Sequence, residues 1–456
     1  MNAGRDRLPD LGPERSFTLP RAETRVLRGG VRLWTVEQHD VPVLAITWLV
    51  PAGSAADPPE RPGLAALVAD LLDEGSGDRR GLEFHEALAR IGGQLDIDTG
   101  AVTVAISLVA LARFREAAFD LAADLAFRPR LEADDVERVL HIRRSRLAQL
   151  RDVPGAVAER ALLARLFGDH PYGHLAIGTD ASLAALCRED VAAFHRSRYG
   201  AAGTMLVAVG DASHEALAGA AESALDRVID AGGTAPRDTP GAAALPRPGS
   251  TARLVLIDRP GAPQSELRVG CVAAPRRTPD YHDLLVLNAV LGGQFVSRLN
   301  VTLREEKGFT YGARSYFDCR RHPGPFVVQT SVQTSATAEA VREVHREVAE
   351  IGGARPPTPS ELSLAHAGLT RGYARHFETA EQVARATAQL ALHDLPERYY
   401  EEFPDRVRGV GADQVTRAAR RWLKADALST VVVGDRARVA DGLDALGLGP
   451  VEVWDR

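Results

Sequence analysis

Val207-Ala208-Val209-Gly210-Asp211 and Val431-Val432-Val433-Gly434-Asp435 are two copies of one pattern, an unbroken apolar run stopped by Gly-Asp. Each suits a buried strand entering a turn. Working outward, a similar helix precedes each run, beginning near Asp190 in one case and near Asp413 in the other. Further along, the pairs Arg198-Tyr199 and Arg421-Trp422 match in type and offset. Agreement at two separate places predicts a duplicated fold. Between the copies, Ala231 to Ser250 is rich in Gly, Pro, Ala and Thr and has no hydrophobic period, which reads as a linker. The chain accordingly divides into a domain at 1–231, a linker at 232–250 and a domain at 251–456.

Inside the first half, Val31 to Trp34 and Leu44 to Val50 read as strands. Gly63 to Leu72 reads as a helix entered through Pro62, since proline is tolerated in a first turn. Leu82 to Arg90 is a second helix, broken by Gly92-Gly93. Ala101 to Val109 is β-prone, Phe114 to Phe127 is helical, and a long helix runs from Ala133 to about Leu150. Strands followed by runs of helices predict an α+β fold. The expectation is two tandem homologous α/β sandwich domains, each a mostly antiparallel sheet with helices packed on one face.

Composition narrows the function. The 456 residues are 45% hydrophobic and 25% charged, ordinary for a globular protein, and the net charge of −6 gives no basic footprint for nucleic acid. No stretch approaches the roughly 20 apolar residues of a membrane span. The opening residues MNAGRDRLPDLGPERSFTLP hold no apolar leader core. As written the chain is expected in the cytoplasm, or in the periplasm if a leader has been removed. Cys187, Cys271 and Cys319 are widely spaced and odd in number, so they are expected to be buried free thiols.

Two stretches carry the chemistry. The first is Gly63-Leu64-Ala65-Ala66-Leu67-Val68-Ala69-Asp70-Leu71-Leu72-Asp73-Glu74-Gly75-Ser76, which follows Val50-Pro51-Ala52-Gly53-Ser54 and Pro62. It resembles the start of the pitrilysin/insulinase family of zinc metallopeptidases. There the corresponding helix bears His-x-x-Glu-His, whose two histidines sit on one helical face and bind zinc while the glutamate activates water. Laid on this chain, the first His falls on Ala66, the Glu on Ala69 and the second His on Asp70. The family's third ligand, a glutamate on a later helix, falls near Arg146. No Asp or Glu occurs between Glu137 and Asp152, and His141-Ile142-Arg143-Arg144-Ser145-Arg146 is basic. The resemblance therefore implies a degenerate metal site and no metal in this chain. Ile91-Gly92-Gly93-Gln94-Leu95, His170-Pro171-Tyr172-Gly173 and Gly178-Thr179 resemble further parts of the family scaffold.

The second stretch runs Leu291-Gly292-Gly293-Gln294-Phe295-Val296-Ser297-Arg298-Leu299 and continues Leu303-Arg304-Glu305-Glu306-Lys307-Gly308-Phe309-Thr310-Tyr311-Gly312. It resembles the family's C-terminal-domain signature, in which an Arg and a Tyr seven residues later face the zinc site across an enclosed chamber. By that resemblance Arg304 and Tyr311 bind substrate and transition state. A tyrosine hydroxyl can donate to the negative oxygen that develops during peptide hydrolysis, and an arginine fork can grip a carbonyl or orient the tyrosine. The ordinary reading of these residues is an Arg paired with Glu305 or Glu306 and a Tyr in the core.

Together the two stretches imply a non-catalytic subunit, not a peptidase alone, that completes the active site of a His-x-x-Glu-His-bearing partner holding the zinc. Its substrate would be an unfolded or short peptide. The alternative is a structural or peptide-binding protein of core-subunit type with no proteolytic role. Other residues carry less. His170 and His174 are separated by helix breakers and read as surface loop. His214-Glu215 is followed by no second His. Gly292-Gly293 lacks a phosphate-loop context, Asp96 and Asp98 alternate on a solvent face, and no Gly-x-Ser-x-Gly elbow is present.

Overall fold

The computed structural model describes residues 18–229 and 254–454. The linker assigned to 232–250 lies outside the described residues. Among the described residues, fourteen strands form two six-stranded sheets and one short ribbon. The first sheet is built from β1 (Ala22–Val26), β2 (Arg32–Glu37), β3 (Val43–Val50), β6 (Gln94–Thr99), β7 (Val104–Leu111) and β8 (Met205–Gly210). The ribbon pairs β4 (Gly75–Ser76) with β5 (Arg79–Arg80). The second sheet holds β9 (Leu254–Asp258), β10 (Gln264–Val272), β11 (Ala313–Phe317), β12 (Pro325–Gln333), β13 (Ser429–Gly434) and β14 (Val451–Trp454).

The strand orders are β1-β2-β8-β3-β7-β6 and β11-β12-β10-β13-β9-β14. Read from opposite ends they share one plan: β2, β8, β3, β7 and β6 correspond to β9, β13, β10, β12 and β11. The two Gly-Asp strands, β8 and β13, occupy equivalent central places. Each pairs parallel to one neighbour, β2 or β9, and antiparallel to the other, β3 or β10. The halves differ at one margin, where β1 runs antiparallel to β2 but β14 runs parallel to β9.

The unbroken apolar runs reflect burial on both faces. On the first sheet Leu206 and Ala208 join the main core with helices α1 (Leu64–Asp70), α2 (Gly81–Arg90) and α3 (Arg115–Phe127). Val207 and Val209 on the opposite face meet Val383, Ala384 and Ala388. Those belong to the helix Ala380–His393, which comes from the second half of the chain. The second sheet repeats the arrangement in reverse. After the long α4 (Ala133–Arg151), helix α5 (Pro154–Phe167) crosses over, and its Val157, Leu162 and Phe167 pack on Val255, Val327, Val431 and Val433. Each sheet thus carries its own helices on one face and a single helix exchanged from the other half on the other face. Each fully buried valine contributes about 1.5–3 kcal/mol, so the exchange clamps the halves together.

Two expectations need correction. Cys271 is buried, but Cys187 is exposed and Cys319 half-buried, so burial does not unite the cysteines. The run Tyr281–Glu306 is apolar and long enough to cross a membrane by length and composition, although 61% of its most apolar window is buried within the fold. Against the second sheet it supplies Leu284, Leu287, Leu291, Leu299 and Leu303 to the core.

Candidate functional site

The first locus is α1. Its start is fixed by Asp57, whose fully buried carboxylate accepts the backbone N–H of Gly63 at 2.7 Å and of Ala65 at 2.6 Å. Both N–H groups belong to the orphan donors of a helix start, where a negative charge is favoured. His174 Nε2 lies 3.0 Å from the same carboxylate, so this histidine anchors the mid-domain loop to α1 instead of standing free on the surface. Gly63 and Gly178 cross so closely that a Cβ on Gly63 would stand 2.8 Å from the Gly178 Cα.

Ala66 and Ala69 face inward, 6% and 1% exposed, and offer no donor atom. Asp70 at the end of α1 is exposed, and Arg143 on α4 donates to its carboxylate. Arg143 is itself buried and donates a second bond, of 2.7 Å, to the Ala176 carbonyl. The cation that meets α1 is therefore Arg143; Arg146, where the sequence places the third-ligand position, lies one turn further along α4 and is exposed. Beneath this pair is Tyr199, whose buried hydroxyl has no hydrogen-bond partner among the described residues. Burial pushes its phenol well above the usual tyrosine range, and the Asp70 charge adds to the effect. A zinc ion does not fit this set: of the three ligand positions that the resemblance gives, Ala66 offers a methyl group, the place near Arg146 offers a cation, and the one carboxylate, Asp70, is held by Arg143. Among the described residues no group of three or more His, Cys, Asp or Glu is placed to hold a metal.

The second locus is the Arg304/Tyr311 stretch. It is built on two π-helical turns, Ala289–Gly293 and Val301–Glu306. The wide winding shows in Lys307 N–H, which donates to the Thr302 carbonyl five residues back at 3.1 Å. Such turns are frequent at functional sites. Asn300 holds the stretch together. Its amide nitrogen donates to Gln294 O at 3.1 Å and Ala313 O at 2.8 Å, and its carbonyl accepts Ala313 N–H at 2.9 Å. Arg298, also buried, forks onto Glu361 at 2.6 and 2.9 Å and reaches the carbonyls of Arg355 and Pro356. Burial would raise the Glu361 carboxyl, but the Arg298 guanidinium outweighs it and holds the group at about 2.

The loop beyond is pinned as well. Thr310 Oγ1 bridges the Gly312 N–H and carbonyl, and Thr330 Oγ1 donates to both Thr310 and Gly312 at 3.1 and 3.0 Å. Gly308 takes φ +66°, where glycine is favoured. On this fixed loop Tyr311 is 92% exposed. Arg304 packs its guanidinium 3.5 Å from the centre of the Phe295 ring and donates to Glu305. Arg304 thus lies mostly covered at the end of the π-helical turn, while Tyr311 stands in solvent on the loop after it, and α1 with Asp70 belongs to the other half of the chain.

The sequence reading missed Asp57, Arg143, Arg298 and Asn300. Polar residues inserted into the apolar run Leu291–Leu303 were the available signal for the last two.

Comparison with known proteins fits this geometry. The family profile described as Insulinase (Peptidase family M16) matches residues 33–180, and the one described as Peptidase M16 inactive domain matches residues 185–369. The chain belongs to peptidase family M16, the pitrilysin/insulinase family. Relatives within M16 include an uncharacterized zinc protease of Mycobacterium tuberculosis, 27% identical over 89% of this chain and 91% of the relative. A Helicobacter pylori protein named non-peptidase homolog YmxG is 21% identical over 88% of this chain and 91% of its own length. A solved peptidase M16 inactive domain from Pseudomonas fluorescens superposes with a TM-score of 0.83 at 25% identity, covering 91% of this chain and 98% of that one. This chain is an M16 fold whose helix α1 carries Ala66, Ala69 and Asp70.

Proposed function

We propose that this chain is the non-catalytic subunit of a heterodimeric zinc metallopeptidase, presenting Arg304 and Tyr311 to a partner that carries His-x-x-Glu-His. The observation that supports it most is Tyr311, a tyrosine held almost fully in solvent on a loop whose backbone is tied down on both sides. A tyrosine kept for packing would be buried. Here its hydroxyl is free to meet something outside the chain.

In the shared site the zinc of the partner would polarise the scissile carbonyl, and Tyr311 would donate a hydrogen bond to the oxygen as its negative charge grows. Arg304, steadied by Phe295 and Glu305, would orient the peptide backbone beside it. Substrates would be unfolded or short peptides, which can add as a strand to an exposed sheet edge. Strand β6 is such an edge, with β7 as its only neighbour in the sheet.

A second reading, a structural or peptide-binding protein without a proteolytic role, draws support from Arg304, whose guanidinium is already engaged by Glu305 and Phe295. Reconstitution separates the two. The chain and the His-x-x-Glu-His chain encoded beside it are purified, zinc is measured on each, and a quenched fluorescent peptide is offered to each alone and to both. Zinc on the partner alone with cleavage only in the mixture supports the shared site. A stable complex in which this chain adds nothing to cleavage supports the second reading.

A further inference from the structure

Beside Tyr311 lies an open groove of about 470 Å³ between the turn Gly292–Phe295 and the outer face of the second sheet. Its floor is a stripe across three strands. Arg314 on β11 stands opposite Gln329 on β12, which stands opposite Arg268 on β10. At about 4.8 Å per strand the three side chains fall within one small ligand's reach. One wall is the ring of Phe295, 70% exposed. The same wall continues as bare backbone, because a Cβ on Gly292 would stand 2.5 Å from Ser315 Oγ.

The charges of the groove sort cleanly by pairing. Arg268 is buried and neutralised by Glu266 at 2.5 Å and Glu159 at 3.2 Å. Glu266 also accepts from Ser331. Arg304 nearby is offset by Glu305. Among the described residues, the Arg314 side chain has no ion pair and no hydrogen bond, and neither does the side-chain amide of Gln329 beside it. The floor therefore offers one uncompensated guanidinium fork and one free amide, next to an aromatic face and some few residues from the Tyr311 hydroxyl. A guanidinium fork matches a carboxylate bidentately, and a charge-assisted bond of this kind is the strong sort.

We propose that Arg314, with Gln329, forms an anchoring subsite for a carboxylate of the bound peptide, fixing where the chain lies relative to Tyr311. This rests on the peptide-binding part of the proposed function and names its substrate class: peptides whose C-terminal carboxylate or acidic side chain falls in the groove. Arg314 is a positioning residue, removed from the reacting atoms.

The test is equilibrium binding to this chain alone, which requires no catalysis and so stands or falls separately from the Tyr311 role. The probe is a fluorescein-labelled Ala/Gly octapeptide in three forms: free C-terminal carboxylate, C-terminal amide, and C-terminal amide with one internal aspartyl residue. Fluorescence anisotropy is read for the natural chain, Arg314→Gln and Arg314→Lys. The subsite predicts about tenfold weaker binding of a carboxylate form on Arg314→Gln, partial recovery with Arg314→Lys, and no change for the plain amide. Loss with the free-acid form assigns the C-terminus, and loss with the aspartyl form assigns an acidic side chain. Equal affinity of all three forms, an equal loss for all three, or no binding of any form overturns the proposal. If Arg314 behaves as stated while Tyr311→Phe leaves the reconstituted peptidase at full rate, the subsite stands and the shared active site falls.

Discussion

Arg143 donates to Asp70 across the space between α4 and α1, at the position to which the sequence resemblance assigns the family's second zinc histidine. A buried cation ties α4 to α1, and its second bond extends the tie to the loop at Ala176. The buried guanidinium beside Asp70 opposes the approach of any metal cation to this carboxylate.

Breaking that pair from one side leaves Arg143 charged and buried. Asp70 is about half exposed, so water recovers part of the loss. Asp70→Ala is expected to cost about 1–3 kcal/mol in denaturant unfolding. The double change Asp70→Leu with Arg143→Met, which removes both charges, is expected to return within about 1 kcal/mol of the natural chain. A double change as unstable as the sum of the singles would show that the pair is incidental.

Asn300 is the central tie of the Tyr311 loop, closing both the N–H and the carbonyl of Ala313. Removing it leaves buried backbone groups unpaired. Asn300→Ala should lose about 2–4 kcal/mol of stability, and hydrogen exchange should report faster opening over 307–313. A variant with natural protection in that segment would remove Asn300 from this role.

The Arg298–Glu361 fork gives a pH dependence whose sign is fixed. Glu361 is held at about 2, below its ordinary 4.5. Its folded value is depressed, so the stabilisation is present above pH 4.5 and disappears as the pH falls towards 2. Its size is on the order of 3 kcal/mol. Glu361→Gln should flatten the acid limb of the stability curve between pH 4.5 and 2. An unchanged acid limb in Glu361→Gln would assign the transition to other carboxylates.

Much of the fold was legible because burial on both faces leaves a mark that burial on one face does not. Val207–Val209 and Val431–Val433 are apolar at every position since alternate residues meet different helices. The exchange of helices was not legible. Val157 and Leu162 show that α5 buries a face, and the same residues would serve against either sheet. The expectation of a degenerate metal site rests on residue identity at Ala66, Ala69 and Asp70, laid on the family's motif by resemblance. The ion pair of Asp70 with Arg143 was not legible, because Arg143 and Arg146 share a helical face and only packing shows which is buried. Arg304 and Tyr311 were singled out by resemblance alone. The exposure of Tyr311, and the free guanidinium of Arg314 three residues on, depend on how a π-helical turn and a sheet edge meet.

The most direct measurement is kcat of the reconstituted pair with Tyr311→Phe. Because Tyr311 is 92% exposed, the change should alter stability by less than about 0.5 kcal/mol and leave the complex intact. The account predicts a fall in kcat of about 10²-fold or more with the partner's zinc retained. Full activity of the Tyr311→Phe pair, with an intact complex and full zinc, would contradict the claim that this chain completes its partner's active site.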